Sequence, residues 1–450
     1  MSKETIHIVG GGLVGPLAAI FLAKRGYNVE LYERRADMRK GGVDAGRSIN
    51  LVVTPRGLVA LDRVGLKERM LELAIPLEGR MLHDTKGGTT YVPYGHKPGE
   101  VINAVSRGLL NIRLLEEADK HESVNIHFQR KCTDYDIDSK VLTFLNEESG
   151  QTETVKADIT IGTDGAFSAI RRAMFDNVQN FNYAQNFLAH GYKELVIPPD
   201  ENGKHRIKNG MFHIWPRGDY MLIGIPNIDG SFTCTLFCRY EGDEGFNKIK
   251  TAEDALSFFN KIFPDAVPVM PSLADDFMNN PIGSLVTVKC GPWYVDGQAM
   301  LMGDAAHAVV PFYGQGMNCG FEDCTALGDI LDAGETDWSV IFKKLFIARK
   351  ENTDAIADMA IQNFVEMRET TADPKFQLKK EVGFALENRY PDRFIPRYSM
   401  VMFHPEIPFA EAKRLGEAQE QMLDELCANI NDPSEVDWGQ AENLLKKLNA

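Results

Sequence analysis

The sequence predicts an α/β protein with an inserted antiparallel sheet and a C-terminal helical region. Three observations predict this fold class. The chain opens with a strand, a glycine-rich turn, a helix and a second strand within residues 5–33. Short apolar strands separated by turn residues follow between 185 and 240, and from 338 onwards the apolar residues have a helical period. Alternating strands and helices form parallel sheets covered by helices, whereas consecutive strands with tight turns form antiparallel sheets.

The first strand–helix–strand unit is the most specific of these elements. Residues 5–9 form a short strand, residues 14–25 form a helix that Gly26 closes, and residues 28–33 form the second strand. A βαβ unit of about thirty residues is the setting in which a glycine pattern indicates nucleotide binding.

Gly10, Gly12 and Gly15 give the pattern G-x-G-x-x-G of a Rossmann-type domain. The first glycine permits the turn, the second lets the backbone approach a pyrophosphate, and the third lets the helix pack closely on the strand. Glu33 ends the second strand, where a carboxylate accepts hydrogen bonds from ribose hydroxyls. Because this carboxylate repels a 2′-phosphate, NADP is not expected at this turn. The motif alone leaves nicotinamide and flavin dinucleotides open.

Further elements follow along the chain. A helix begins at Arg107, short strands lie near 124–128 and 140–145, and residues 157–174 give a strand, a turn and a helix start. The antiparallel strands contain MFHIW, YMLIGI and SFTCTLFCRY, and a proline-rich link at 389–408 interrupts the C-terminal helices. The predicted parts are a discontinuous dinucleotide-binding domain (1–75, 100–178 and 287–365), a substrate-binding sheet domain (76–99 and 179–286) and a C-terminal helical region (366–450).

Composition and charge exclude several classes of protein. The chain has 450 residues, 44% hydrophobic and 25% charged, which is typical of a folded protein with more than one domain. Its net charge of −15 argues against nucleic acid and anionic membranes as partners. The seven cysteines are scattered without a Cys-x-x-Cys pair, so we expect reduced thiols, no metal site and a cytoplasmic location. We find no leader pattern and no apolar run of the ~20 residues that span a bilayer, so we expect a soluble chain.

Two more motifs follow the glycine turn. They are TDGAFSAIRR, residues 163–172, and MGDAAHAVVPFYGQGMN, residues 302–318. Each alone is also compatible with an ordinary turn before a helix, and Ser168 is a suitable helix cap. In this order the three motifs resemble those of the flavin-dependent aromatic hydroxylases. The resemblance implies that FAD is bound, that Asp304 holds its ribitol or ribose, and that residues 314–318 lie against the isoalloxazine. The chain has no second G-x-G-x-x-G, so NADPH or NADH would bind transiently.

A closer resemblance, over about residues 5–405, is to the kynurenine 3-monooxygenase family. It is carried by GRSINLVVTPRG (46–57), GRMLH (79–83), YVPYG (91–95), VSRGLLN (105–111), HGYKELVIPP (190–199), HIWPRGDYMLIGIPN (213–227), SFTCTLF (231–237), GDAAHAVVPFYGQGMN (303–318), NFVEMR (363–368) and FIPRYSMV (394–401). Eukaryotic members have a C-terminal membrane anchor, whereas this chain ends in a charged helix. We therefore expect a soluble, bacterial-type enzyme that is not anchored to a membrane. Tyr313 differs from some relatives, which leaves its role open.

The resemblance implies two sets of binding residues. Those for the carboxylate and amine of L-kynurenine are Arg80, Tyr94, Asn363 and Tyr398. Those for tightly but noncovalently bound FAD are Gly10, Gly12, Val14, Gly15, Tyr32, Glu33, Arg34, Arg35, Val52, Arg107, Asp164, Asp304, Gly316, Met317 and Asn318. An arginine suits a carboxylate because its guanidinium binds both oxygens. Arg80 could also be a surface residue, and the tyrosines could be core residues.

The activity implied is hydroxylation of L-kynurenine to 3-hydroxykynurenine with NADPH and O2, through a flavin C4a-hydroperoxide that requires no catalytic side chain. For His307 we therefore favour a structural role over that of a general base. Three alternatives stay open at this point: a hydroxylase of another anionic aromatic, a Rossmann dehydrogenase, and a redox-responsive flavoprotein that acts through a binding partner. We expect a monomer or a homodimer.

Overall fold

The structure, a computed structural model, describes residues 4–41, 50–95, 97, 99–367 and 374–448. Two motif segments, residues 46–49 of GRSINLVVTPRG and Arg368 of NFVEMR, lie outside the described residues.

The strands are β1 (Thr5–Val9), β2 (Asn28–Tyr32), β3 (Asn50–Val53), β4 (Ile75–Leu77), β5 (Gly79–His83), β6 (Thr89–Pro93), β7 (Ile102–Ser106), β8 (Val124–His127), β9 (Arg130–Asp136), β10 (Val141–Asn146), β11 (Thr152–Lys156), β12 (Ile159–Gly162), β13 (Asn182–Ile197), β14 (Met211–Arg217), β15 (Tyr220–Pro226), β16 (Phe232–Arg239), β17 (Ile282–Gly291), β18 (Tyr294–Val295) and β19 (Ala299–Leu301). The α-helices are α1 (Val14–Ala23), α2 (Met38–Gly41), α3 (Pro55–Arg63), α4 (Lys67–Leu71), α5 (Arg107–Ala118), α6 (Ala169–Asn177), α7 (Ala252–Ile262), α8 (Leu273–Asn279), α9 (Asp304–His307), α10 (Gly316–Asp332), α11 (Trp338–Val365), α12 (Pro374–Arg389), α13 (Arg397–Phe403), α14 (Phe409–Leu426) and α15 (Trp438–Leu448).

A largely parallel sheet forms the first layer of the fold. Its strand order is β18-β19-β12-β1-β2-β8, and β1 pairs in parallel with both β2 and β12. The predicted strand–helix–strand unit is confirmed. Helix α1 ends at Ala23 rather than Arg25, because Gly26 takes a φ of +80° and closes the turn by donating to the Ala23 carbonyl.

An antiparallel sheet forms the second layer. Its order is β17-β13-β16-β15-β14-β5-β6, and the three strands predicted between 185 and 240 are β14, β15 and β16. Strands β13 and β17 were not predicted, because their exposed and buried residues alternate only partly. Strand β5 joins β14 in parallel, which brings residues 79–93 into the same sheet. The domain boundaries given above stay a prediction.

The C-terminal part is helical, as predicted, and packs on both layers. Apolar residues of α11, α13 and α14 are buried with apolar residues of β14, β15 and the 310–313 turn. The proline-rich link is not wholly irregular, because it contains α13. No helix among the described residues combines the length and the apolar character needed to cross a membrane.

Arg56 connects α3 to α13. Its side chain is almost completely buried, and its guanidinium donates to the carbonyl oxygens of Met400, Val401, His404 and Ile407 at 2.6–3.2 Å. Met400 and Val401 belong to the last turn of α13, whose carbonyl groups have no partner within the helix, and His404 and Ile407 follow it. The position of α13 is therefore fixed from the N-terminal third of the chain.

Candidate active site

The glycine turn is built as its sequence pattern requires. Gly10 has a φ of +112°, and a Cβ there would lie 2.4 Å from the Thr163 carbonyl oxygen. A Cβ on Gly15 would lie 2.0 Å from the Gly10 oxygen, whereas one on Gly12 would meet no heavy atom within 4 Å. Gly10 and Gly15 thus pack tightly against neighbouring backbone, whereas the space next to Gly12 is free. A pyrophosphate requires such a space to approach the backbone closely.

Glu33 fixes this turn from the second strand. Its side chain is buried, Oε2 accepts from Gly11 N at 2.8 Å, and Oε1 accepts from the backbone and side chain of Arg35. A carboxylate has further lone pairs for ribose hydroxyls beside these bonds. Arg34 is exposed. The Tyr32 ring stacks on Phe144 and His127, so only its carbonyl, which accepts from Gly10 N, lies at the turn.

The second motif lies directly beside the first. Thr163 Oγ1 donates to the Gly10 carbonyl at 2.8 Å. Asp164 Oδ2 accepts from Ala169 N at 2.7 Å, and Oδ1 is buried without a hydrogen-bond partner among the described residues. Burial raises the pKa of this carboxyl group above its ordinary value, against the effect of its hydrogen bonds. A buried acceptor without a partner fits a ligand hydroxyl.

The third motif packs under the glycine turn. A Cβ on Gly303, which has a φ of +60°, would lie 2.9 Å from the Val14 side chain. Gly303 N donates to Asp323 Oδ2, which also binds His307 Nε2 at 2.6 Å, and Arg349 Nε donates to Asp323 Oδ1 at 2.8 Å. Burial opposes the charge of His307, but the Asp323 carboxylate raises its pKa to about 10. This arrangement is a buried ion pair that holds the turn before Asp304, which is exposed at the start of α9.

Asn318 connects the third motif to β3. Its Nδ2 donates to the carbonyls of Val52 and Gly314 at 2.8 and 2.9 Å, and its Oδ1 accepts from Thr54 N. Helix α10 begins at Gly316 without a side-chain cap, and the neighbouring Met317 is half-buried. An uncapped helix start offers N–H groups to an anionic or carbonyl ligand.

Arg107 and Asn111 lie on α5, next to the glycine turn. Arg107 is exposed, and its charge acts on Tyr192 and Glu194 of β13. Asn111, which the sequence analysis missed, donates from Nδ2 to the Gly11 carbonyl at 3.1 Å and has a buried Oδ1 without a partner among the described residues. Together with Gly12 and Asp164, it forms a cradle whose acceptors and open backbone fit a dinucleotide.

The four residues proposed for the amino-acid substrate, and Tyr313, line one pocket. The Arg80 guanidinium lies 5.3 Å from the Tyr94 ring centre and 4.9 Å from that of Tyr398, and these two rings stack at 5.8 Å. Burial opposes the charge of Arg80, yet electrostatic interaction with Tyr398 and Tyr94 keeps its pKa above the ordinary value. Arg80 is therefore a preorganised cation and not a surface side chain.

Asn363 links this pocket to the third motif. It is buried, and its Nδ2 donates to the Phe312 carbonyl at 2.6 Å. The adjacent Tyr313 is buried, which raises its pKa, and its ring stacks on Tyr398 at 5.7 Å. Because Tyr313 immediately precedes Gly314, the pocket adjoins the loop that the sequence analysis assigns to the isoalloxazine.

Comparison with known proteins identifies the family. The FAD binding domain family matches residues 3–203 and 286–339, so the chain contains an FAD-binding domain. The kynurenine 3-monooxygenase of Myxococcus xanthus is 45% identical over 99% of this chain and 95% of its own length. That of Dictyostelium discoideum is 41% identical over 99% of this chain and 98% of its own. This chain belongs to the kynurenine 3-monooxygenase family. It is a flavin-dependent aromatic monooxygenase, with FAD as its cofactor.

Solved structures support the fold assigned to this kynurenine 3-monooxygenase family member. The tetrameric 2-methyl-3-hydroxypyridine-5-carboxylic acid oxygenase superposes with a TM-score of 0.66 at 20% identity, over 88% of this chain and 99% of the other. PqsL of Pseudomonas aeruginosa, a probable FAD-dependent monooxygenase, gives 0.62 at 16% identity, over 82% and 97%. The predicted aromatic hydroxylase fold is confirmed.

In this member of the kynurenine 3-monooxygenase family, the pocket contains charged residues that the sequence analysis missed. Glu366, Arg397 and Lys380 line it, and Glu366 pairs with Arg397 at 2.7 Å. Burial, and secondarily the charge of Arg80, lower the pKa of Lys380 to about 7. Glu366 and Arg397 lie in the motifs NFVEMR and FIPRYSMV, next to residues that were predicted, whereas no sequence signal distinguishes Lys380 from the other charged residues of the C-terminal helices.

A group of side chains that could hold a metal ion lies outside the predicted site residues. Among the described residues, Glu100, Glu387 and His404 bring their ligand atoms within 4.8 Å of one another. Lys97 Nζ already lies 2.5 Å from Glu387 and supplies a positive charge there. The expectation of no metal site stays a prediction.

Proposed function

We propose that this protein hydroxylates L-kynurenine to 3-hydroxykynurenine, with NADPH and O2 as co-substrates and FAD as the bound cofactor. The observation that carries the proposal is Arg80, held between two tyrosines in a pocket that adjoins the third FAD motif. The relatives of nearly full length that share this family are kynurenine 3-monooxygenases. The oligomeric state proposed is a monomer or a homodimer, and no nucleic acid takes part.

Arg80 binds the substrate carboxylate through both oxygens, because its guanidinium offers parallel N–H donors. Tyr94 and Tyr398 fix the plane of the guanidinium and keep the ion pair away from water. This contact anchors one end of the amino acid, so the aromatic ring extends from it towards the 312–318 loop. Anchoring fixes which ring carbon is presented, and we assign this position to C3, next to the aromatic amine.

The chemistry supplied by bound FAD is transfer of two electrons from NADPH to O2, so that one oxygen atom enters the ring and the other leaves as water. Asn363 contributes by holding the Phe312 carbonyl, and hence the turn that precedes the loop. The buried ring of Tyr313, which lines the pocket, excludes water from its ring-facing end. Exclusion of water favours oxygen transfer over loss of peroxide to solvent.

The test is oxygen uptake by the purified FAD-loaded protein with NADPH, in the presence and absence of L-kynurenine. We expect kynurenine to stimulate NADPH consumption and 3-hydroxykynurenine to carry one oxygen atom from isotopically labelled O2. A panel of other anionic aromatics provides the comparison. Flavin-bound protein that makes no hydroxylated kynurenine, or makes more product from another aromatic, would overturn the substrate assignment.

A further inference from the structure

The pocket around Arg80 contains more positive charge than its carboxylates balance. Of its two acidic side chains among the described residues, Glu366 pairs with Arg397 at 2.7 Å and Glu420 pairs with Lys379 at 2.8 Å. Lys379 also pairs with an aspartate of the same helix as Glu420. Both acidic groups therefore already have cationic partners.

Arg80 and Lys380 are the remaining cations of this wall, and neither has a carboxylate within ion-pairing distance in the described part of the chain. Lys380 is half-buried, and its Nζ donates one long hydrogen bond of 3.5 Å to the Pro93 carbonyl. Its nearest ring, Phe384, lies 5.7 Å from Nζ. An ammonium group has three donors, so at least one of them points to no strong acceptor here.

Two like charges held in one half-buried pocket repel each other, and burial adds to the cost of each. The loss of water and, secondarily, the Arg80 charge already act on Lys380, whose pKa falls to about 7. An anion that binds both groups removes the repulsion and supplies the missing acceptor. A carboxylate is suitable, because both of its oxygens can accept from the planar guanidinium while one of them has a further lone pair for the compact ammonium.

We propose that Lys380 is a second substrate-binding residue, which binds the carboxylate of the amino-acid substrate together with Arg80. The inference rests on the proposed function, since it takes the substrate from there. It adds a residue from α12, a helix that contributes no residue to the predicted site.

The experiment compares Lys380→Met, which keeps the length of the side chain, with the conservative Lys380→Arg. Binding is titrated by flavin absorbance in the FAD-loaded protein, with L-kynurenine and with its decarboxylated amine analogue. For Lys380→Met we expect L-kynurenine to bind roughly ten- to hundredfold more weakly, the loss of a hydrogen bond to a charged group. The analogue, which has no carboxylate, should bind as to the wild type. Lys380→Arg should restore most of the affinity for L-kynurenine.

Lys379→Met is the matched control, because this neighbouring lysine lines the same pocket but is paired with Glu420. It should change the dissociation constant of L-kynurenine by no more than about twofold, as expected for an exposed ion pair. FAD content and thermal unfolding are measured for every variant to detect misfolding.

Unchanged L-kynurenine affinity in Lys380→Met would overturn the proposal and leave the proposed function intact. Equal weakening of both ligands would also overturn it, because it would show a structural role. If the wild type binds no L-kynurenine, the proposed function fails, and the assignment of Lys380 fails with it.

Discussion

The dinucleotide cradle consists mainly of backbone, whereas the neighbouring pocket consists of side chains. In the cradle, glycines allow close approach, and the polar side chains around them, such as Glu33 and Asn318, bind the protein's own backbone. In the pocket, the Arg80 guanidinium lies against the rings of two tyrosines that come from distant parts of the chain. The comparison teaches that one site can be changed by substitution with little effect on the other.

The largest effect is expected where the cradle depends on a buried charge. Asp323→Asn removes the anion that His307 and Arg349 share, and it should lower the free energy of unfolding by about 3–5 kcal/mol. Thermal unfolding and flavin retention measure the loss. A variant with wild-type stability would show that the cradle does not need this pair.

The same pair predicts a dependence on pH. Because the folded pKa of His307, about 10, lies above its ordinary value of 6.5, its contribution to stability is complete below about pH 6.5 and is lost as the pH rises through about 10. Unfolding by denaturant, followed from pH 6 to pH 10, should show this decline in the wild type. In Asp323→Asn the decline should be much weaker, and an equal decline in both would contradict the assignment to His307.

Arg80→Met tests the substrate pocket, the second of the two sites compared. Loss of one partner of a desolvated ion pair costs roughly 2–5 kcal/mol, so L-kynurenine should bind about thirty- to several-thousand-fold more weakly. FAD content should stay normal, and the slow oxidation of NADPH without substrate should persist. Near-wild-type affinity in a flavin-loaded variant would remove Arg80 from the site.

Asp164→Asn should affect the cofactor and not the substrate pocket. It places an amide at the position of a buried acceptor that has no protein partner among the described residues, so the free energy of FAD binding should weaken by about 1–3 kcal/mol, which raises the dissociation constant roughly five- to 150-fold. Asp136→Asn, at an exposed turn, is the control. Flavin affinity is measured by fluorescence after dilution. An unchanged affinity would show that Asp164 does not accept a hydrogen bond from FAD.

The smallest effect is expected for Tyr94→Phe. The ring over Arg80 is kept and the hydroxyl is lost, so substrate affinity should fall by about 0.5–1.5 kcal/mol, or a few-fold. Flavin titration with L-kynurenine measures it, with FAD content unchanged. A loss as large as that of Arg80→Met would mean that the hydroxyl binds the substrate directly.

The two sites also differed in how far the sequence predicted them. Gly10, Gly12, Gly15 and Glu33 lie within one short segment, and their spacing alone indicates the turn that the structure contains. Arg80 and Tyr398 are separated by more than three hundred residues, so only the resemblance to a family placed them together. No periodicity marks Lys380 or Glu366, because tertiary packing alone brings their helices to the pocket. Strand β13 was missed for a related reason. It pairs with β16 on one side and β17 on the other, and its buried and exposed residues do not alternate regularly.

The Arg56 contacts have a consequence for how the molecule is assembled. Arg56 is 2% exposed, and its guanidinium is satisfied by carbonyls of residues 400–407 together with the Glu322 carboxylate. Removal of the segment that contains α13 would take away these four carbonyl acceptors and leave Glu322 as the partner of the buried charge. The C-terminal helices are therefore not a separable appendage. Because its acceptors lie as far along the chain as residue 407, Arg56 can complete its contacts only after the C-terminal wall of the pocket has been synthesised.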